Sequence, residues 1–326
     1  MTELSLVQAI NLALMRAMAD DPRVVVLGED VGVDGGVFRA TEGLFQRYGE
    51  NRVLDTPLAE ASIAGVAIGL AAQGFRPVAE IQFSGFAYTC IDQMLNHASR
   101  LRARTRGRLT CPMVLRAPSG GGIKAVEHHS ESPEAIFAHI PGLKVVIPSS
   151  PARAYGLLLS AIHDPDPVVF LEPTRLYRAA REDVADNGTA IQLERCAVLR
   201  SGRDVTLVSW GAMLKETLSA AQQLAGESIE AEVIDVSTLK PLDSATILES
   251  VARTGRLVIV HEAPLTCGYG AEIAARVAER GLTSLLAPIE RVAGYDTMMP
   301  YPRTESFYMP STDRVMAAAR RLVSYT

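Results

Sequence analysis

Hydrophobic and polar positions along the chain alternate between two periods. Leu6, Val7, Ile10, Leu14 and Met18 recur at helical spacing, and Ser5 with Gln8 sets a capping-box pattern in front of them. Val24-Val25-Val26-Leu27 then runs apolar up to Gly28, the pattern of a strand covered on both faces. The alternation repeats with a small-residue helix over 61–72, a strand over 78–81, a helix over about 90–104 and a strand over 113–116. A strand over 145–147, a helix over 152–162 and a strand over 168–171 complete this first series. From Arg178 to Arg195 polar sequence takes over, including Arg181-Glu182-Asp183 and Asp186-Asn187-Gly188. Beyond it, strands over 205–209, 231–235 and 257–261 alternate with helices over 214–224, 243–251 and 270–280. Strands separated by helices predict parallel sheets covered on both faces. The expected fold class is therefore α/β, with two successive parallel-sheet domains over 1–180 and 199–326 and a linker over 181–198.

The chain has 326 residues, enough for two domains with large buried cores. Lys plus Arg is 32 against 37 Asp plus Glu, a net charge of −5, which argues against a nucleic-acid partner. No apolar run approaches the ~18 to 20 residues of a membrane span, so no membrane association is expected. Met1-Thr2-Glu3 shows no secretory signal pattern. Cys90, Cys111, Cys196 and Cys267 are far apart and form no C-x-x-C pair. Reduced thiols and a cytoplasmic location are the expectation, with neither disulfides nor a zinc site.

Several chemical motifs have blander readings beside them. Gly120-Gly121-Gly122-Ile123-Lys124-Ala125 satisfies G-x-G-x-x-A, but Ala117-Pro118-Ser119 sets it off from the expected strand and no amphipathic helix follows. No Gly-Lys-Ser/Thr phosphate loop and no G-x-S-x-G elbow occurs. His128-His129-Ser130 lacks a third metal ligand at defined spacing and reads first as loop histidines. More informative are carboxylates at segment ends. Glu29 follows an apolar strand, at the end where open α/β sheets place ligands, and Glu60 precedes the small-residue helix. Taken singly, Glu29 reads as a solvated loop residue and Glu60 as a first-turn glutamate favoured by the helix dipole. Glu80 opens a third such segment, Glu80-Ile81-Gln82-Phe83, with Phe86 shortly after.

Together these segments resemble the β subunit of the thiamine-diphosphate-dependent 2-oxo acid dehydrogenases. The resemblance runs through Leu27-Gly28-Glu29-Asp30-Val31-Gly32, Gly35-Gly36-Val37-Phe38, Asp55-Thr56-Pro57-Leu58-Ala59-Glu60 and Arg76-Pro77-Val78-Ala79-Glu80. It continues in His129-Ser130, Pro141-Gly142-Leu143-Lys144-Val145-Val146, Asp166-Pro167-Val168-Val169 and Arg253-Thr254-Gly255-Arg256, nearly end to end. It implies a pyrimidine-binding, transketolase-like domain followed by a transketolase C-terminal-type domain. By resemblance, Glu60 hydrogen-bonds the pyrimidine of thiamine diphosphate and drives general acid–base catalysis through that ring. Phe86 stacks on the pyrimidine, and Glu29, Leu58 and Gln82 line its pocket. His129 matches the family's active-site histidine, suited to proton transfer while the acyl group passes to a lipoyl arm. Here His129-Ser130-Glu131 replaces the commoner His-Ser-Gln, adding an acid beside that histidine. No Gly-Asp-Gly segment occurs, so Mg²⁺ and the diphosphate are expected on an α subunit in a heterotetramer. The family also carries potassium on backbone carbonyls, here at the positions of Met113, Ala161, Ile162, Asp164 and Asp166.

The implied partners are that α subunit, a dihydrolipoyl acyltransferase core with its lipoyl domain, and a small 2-oxo acid. Ile81-Gln82-Phe83, His128-His129 and the segment from Phe170 to Arg178 look most like branched-chain members. Ser84-Gly85-Phe86 and the Gly120 triplet look like bacterial pyruvate members, and acetoin dehydrogenase is a third possibility. The main expectation is a branched-chain substrate, with pyruvate as the alternative. From other classes, a nicotinamide oxidoreductase and a catalytically silent scaffold subunit stay in view; the misplaced glycine loop weighs against the first, Glu60 and His129 against the second.

Overall fold

The computed structural model describes residues 2–325. The chain forms two compact units that are not successive in sequence. The first comprises the residues up to Ser119 together with Ile136–Leu193; the second comprises Gly120–Ala135 and the residues from Glu194 onward. The division at 193/194 falls inside the expected linker. The assignment of 120–135 to the second unit was not legible, because nothing in its composition differs from a loop of the first.

In the first unit the sheet runs in the order Lys144–Val146, Val168–Pro173, Val114–Ser119, Arg76–Glu80, Val24–Gly28 and Val53–Asp55. Every one of these neighbours is parallel. The strands are short and apolar, and Val24–Gly28 is buried along its whole length, as a strand with helices on both faces must be. Helix Leu6–Asp20 forms where the apolar stripe was read; its Gln8 side chain accepts from the Ser5 N–H at 3.0 Å. That stripe packs against helix Pro151–His163, which starts with proline at its first position, where no N–H is needed. The helix expected over 90–104 is instead broken into Ile91–Asn96 and Leu101–Arg104 by a tight turn at Ala98–Arg100. The expected linker is also partly structured. Arg181–Val184 pairs antiparallel with Thr2–Ser5, and Asp186 accepts from the Tyr155 hydroxyl at 2.8 Å. Its polar sequence misled because Arg181, Glu182 and Asp183 all face water while Val184 alone is buried.

In the second unit the sheet order is Glu290–Gly294, Leu257–Pro264, Val205–Ser209, Ala231–Asp235 and Ala197–Arg200. The first four run parallel and Ala197–Arg200 runs antiparallel. The two edge strands and the last helix, Thr312–Val323, were not anticipated.

The core of the first sheet contains an ionic cluster. Arg116, with no exposed side-chain surface, donates through Nε and Nη2 to both oxygens of Glu172 at 2.7 Å and through Nη1 to Glu80. The Tyr177 hydroxyl donates to Glu172 as well. Burial pushes the Glu80 carboxyl up, Arg116 pulls it down, and Glu172 pushes it up again. The guanidinium itself stays charged, held by its two carboxylates against the cost of burial. Removing one partner of a buried pair leaves uncompensated charge and costs ~3–5 kcal/mol. Arg116→Met is expected to lose about that much stability at pH 7, measured by denaturant unfolding. The stranded Glu80 carboxyl, already pushed up by burial, takes up a proton in the folded state more readily than in the unfolded chain. The loss should therefore shrink as pH falls toward the ordinary carboxylate range.

Candidate functional site

The parallel register brings three strand ends side by side: Gly28 lies opposite Asp55 on one neighbour and opposite Glu80 on the other. The chain leaves Val24–Gly28 for the edge at Val53–Asp55 and returns to the other side at Arg76–Glu80. That reversal is the switch point at which an open α/β sheet leaves a crevice for ligands. Gly28 is required there, because at its φ of +156° a Cβ would sit 2.6 Å from the Glu80 carbonyl oxygen. The segments after these strands carry Glu29, Leu58, Glu60, Gln82 and Phe86, so the structure brings all five sequence-predicted pocket residues to one sheet end.

Glu29 is only 3 % exposed, and neither of its carboxylate oxygens has a hydrogen-bond partner among the described residues. Burial pushes its carboxyl up, and the charges of Glu60 and Asp30 push it further; the Ala59 amide works the other way from outside hydrogen-bonding geometry. Glu60 is the first residue of helix Glu60–Ala72, where the helix dipole favours a carboxylate. Its carbonyl accepts from the Cys90 thiol at 3.3 Å, and burial pushes that thiol up to about 12, leaving it an inert neighbour. Gln82 donates through Nε2 to Asp30 at 2.9 Å. Asp55 closes the edge by accepting the Gly32 and Val33 N–H groups at 2.6 and 3.1 Å. Phe86 is half-buried and stands edge-on to Phe83, 6.1 Å between centroids. Phe83 meets Phe38 at 5.4 Å and Phe38 meets Tyr177 at 5.2 Å, so an aromatic row links the pocket to the ionic cluster. Leu58 is 78 % exposed, an apolar side chain left uncovered beside carboxylates.

His129 belongs to the other compact unit, in the short turn Glu127–His129. Its neighbourhood is acidic: Glu134 is fully buried and pushed up to about 8, first by burial and then by the nearby Glu262. Sequence reading missed this buried acid. It also missed His261, which stacks on Trp210 at 5.3 Å and is pushed down to about 4, mainly by burial and then by Arg291. His261 stays neutral in a packed core, a structural role.

Two family descriptions match the chain: the transketolase pyrimidine-binding domain over residues 2–180 and the transketolase C-terminal domain over 194–315. The chain is 47 % identical to the pyruvate dehydrogenase E1 component subunit beta of Bacillus subtilis over 325 residues, covering all of both chains. It is 47 % identical to the protein of that name from Acholeplasma laidlawii, covering 99 % of this chain and 98 % of that one. The chain belongs to the β-subunit family of the thiamine-diphosphate-dependent 2-oxo acid dehydrogenases. Among solved structures, a split-gene transketolase, described as an inactive beta4 tetramer, shares the fold at a TM-score of 0.82 and 24 % identity, covering 99 % of both chains.

The residues fit the pyrimidine half of the family's cofactor. A partnerless buried carboxyl at Glu29, a helix-start carboxylate at Glu60, an aromatic ring and an apolar side chain suit a flat, nitrogen-bearing ring. They do not suit a diphosphate: Glu29, Asp30, Asp55 and Glu60 all lie at this strand end, and like charges repel. At the carbonyls implied for potassium, Arg76 donates to the Ile162 and Asp164 oxygens at 2.8 and 3.3 Å, and Val168 N–H donates to the Met113 oxygen at 3.0 Å. Each carbonyl has a second lone pair, so these contacts leave an acceptor for an ion.

Because Glu29 is buried without a donor, its carboxyl binds a proton more tightly folded than unfolded. Its ionisation therefore costs stability as pH rises from the ordinary carboxylate range through its folded pKa. Glu29→Gln is expected to melt higher than wild type in the chain without cofactor. Melting curves from pH 4 to 8 should show that advantage widening with pH and vanishing at the acidic end.

Proposed function

We propose that this chain is the β half of a pyruvate-decarboxylating, lipoyl-acylating enzyme, completed by an α subunit. The supporting observation is the convergence of Glu29, Glu60 and Phe86 on one strand end, in a chain 47 % identical to proteins named for pyruvate. The branched-chain expectation gives way to pyruvate for the same reason: the motifs that look branched-chain-like occur in a chain 47 % identical to proteins that carry the pyruvate name.

Thiamine diphosphate, when bound, supplies the carbon nucleophile and the electron sink that decarboxylation of a 2-oxo acid requires. Glu60 would hold a ring nitrogen of the bound cofactor by a hydrogen bond from its carboxyl and supply the proton there. Glu29, kept protonated more readily by burial, keeps the pocket from gathering two full negative charges beside that ring. Phe86 offers its ring as the packing surface, braced by Phe83. Gln82, tied to Asp30, fixes the far wall. His129 moves a proton as the acyl group leaves for the lipoyl arm of a dihydrolipoyl acyltransferase. The α subunit would hold Mg²⁺ and the diphosphate, and the carbonyls at Met113, Ala161, Ile162, Asp164 and Asp166 would hold potassium, where the end of helix Pro151–His163 concentrates acceptor oxygens. No disulfide joins cysteines among the described residues, which favours a reducing compartment such as the cytoplasm.

Two measurements test this reading on the assembled enzyme. Glu60→Gln keeps the shape but removes the acid, so deuterium exchange at the thiazolium carbon of bound cofactor should slow by ~10² or more with the cofactor still bound. Wild-type exchange would reduce Glu60 to a helix-start carboxylate. Decarboxylation of pyruvate and 2-oxoisovalerate, measured side by side, should favour pyruvate in kcat/KM by at least ~10-fold, the scale on which a pocket rejects extra methyl groups. A preference for the branched acid would reverse the substrate assignment.

A further inference from the structure

The glycine triplet that satisfied a dinucleotide pattern has another use. Strand Val114–Ser119 runs up to it directly, so the expected gap between strand and glycines does not exist, and no helix follows; the next element is the turn Glu127–His129. Residues 120–131 form a closed loop instead, pinned where Gly120 N–H donates to the Glu131 carbonyl at 2.9 Å. Gly120 and Gly122 adopt φ of +83° and +81°, and Lys124 adopts +57°, a left-handed turn that L side chains resist. A Cβ on Gly121 would lie 2.3 Å from the Met299 methyl, and one on Gly120 would lie 2.0 Å from a Glu262 oxygen. The loop thus lies on the second unit at van der Waals contact.

A buried carboxylate takes up two of the loop's backbone amides. Glu305, 5 % exposed at the start of the turn Glu305–Tyr308, accepts the Gly122 N–H at 2.8 Å and the Lys124 N–H at 3.2 and 3.3 Å. At the loop's other end Ser132 Oγ donates to Glu262 at 3.2 Å. Hydrogen bonds from amides to an ionised carboxylate are about twice as strong as neutral ones. Both amides belong to residues exposed to water, which would otherwise solvate them and free the loop.

We propose that Glu305 is a positioning residue: it clasps the 120–131 loop and, through it, sets the place of His129. This rests on the reading of His129 as the acyl-transfer histidine. Glu305 touches no reacting atom; it acts on the backbone two turns of chain ahead of the histidine. A mobile loop would leave His129 present but misplaced, and small displacements of a catalytic group cost large factors in rate.

The test uses the full chain assembled with its α subunit. Hydrogen–deuterium exchange read by mass spectrometry should show residues 120–131 exchanging at least about tenfold faster in Glu305→Ala, with the strand Val205–Ser209 unchanged. Glu305→Gln keeps one acceptor oxygen and should fall between wild type and the alanine variant; it carries the test alone if Glu305→Ala does not fold. Turnover through the lipoyl arm should drop in kcat with KM for the 2-oxo acid unaltered, and decarboxylation with an artificial acceptor should drop less. Unchanged exchange in 120–131 overturns the proposal. Faster exchange with normal lipoyl turnover also overturns it when His129→Ala depresses that turnover in parallel. If His129→Ala is itself silent, the role of His129 falls, and the positioning role falls with it.

Discussion

A guanidinium removed from water must find its counter-charge inside the protein, and Arg116 finds two. It reaches from the middle strand to Glu80 at the end of one neighbour and to Glu172 near the end of the other. Such a cluster adds little net stability over a well-packed apolar core, but it tolerates no change of register, since a slip would strand charges in a low dielectric. It therefore fixes where three strands end. Glu80 in turn sets the height of Gln82 and Phe86, and Gly28 lies against the Glu80 carbonyl with room for no side chain. The sheet end that carries Glu29, Gln82 and Phe86 inherits its geometry from an ion cluster in the core beside it.

The charge distribution of the first unit is then economical in what it binds. Its strand ends collect carboxylates, which suit the proton chemistry of a heteroaromatic ring and repel phosphate. A sheet end of this charge favours neutral or cationic groups over bare anions.

Much of this was legible because period and burial coincide. Leu6 to Met18 and Val24 to Leu27 announce their elements, and the carboxylates Glu29 and Glu60 stand out by position. Arg116 was invisible, because a lone arginine inside an apolar strand carries no pattern until its partners, 36 and 56 residues away, are brought beside it. The Arg181–Val184 ribbon hid behind polarity, since one buried valine in a solvated pair of strands makes no period. Glu305 was hidden for a related reason: it acts on amides more than 180 residues distant, and backbone amides have no sequence signature.

The two units are interleaved: residues 120–135 fold with the part of the chain that begins at Glu194. During synthesis the loop bearing His129 emerges from the ribosome well before the surface that receives it. The first sheet can assemble most of its strands while that loop waits without its support, since Glu305 is made long after it. A break of the polypeptide between 193 and 194 would yield a second half lacking its own loop. The first fragment would hold all of the first unit plus a loop without its seat, and the second would be an incomplete body, so this boundary, although it separates two compact bodies, is not a place where the gene can be cut.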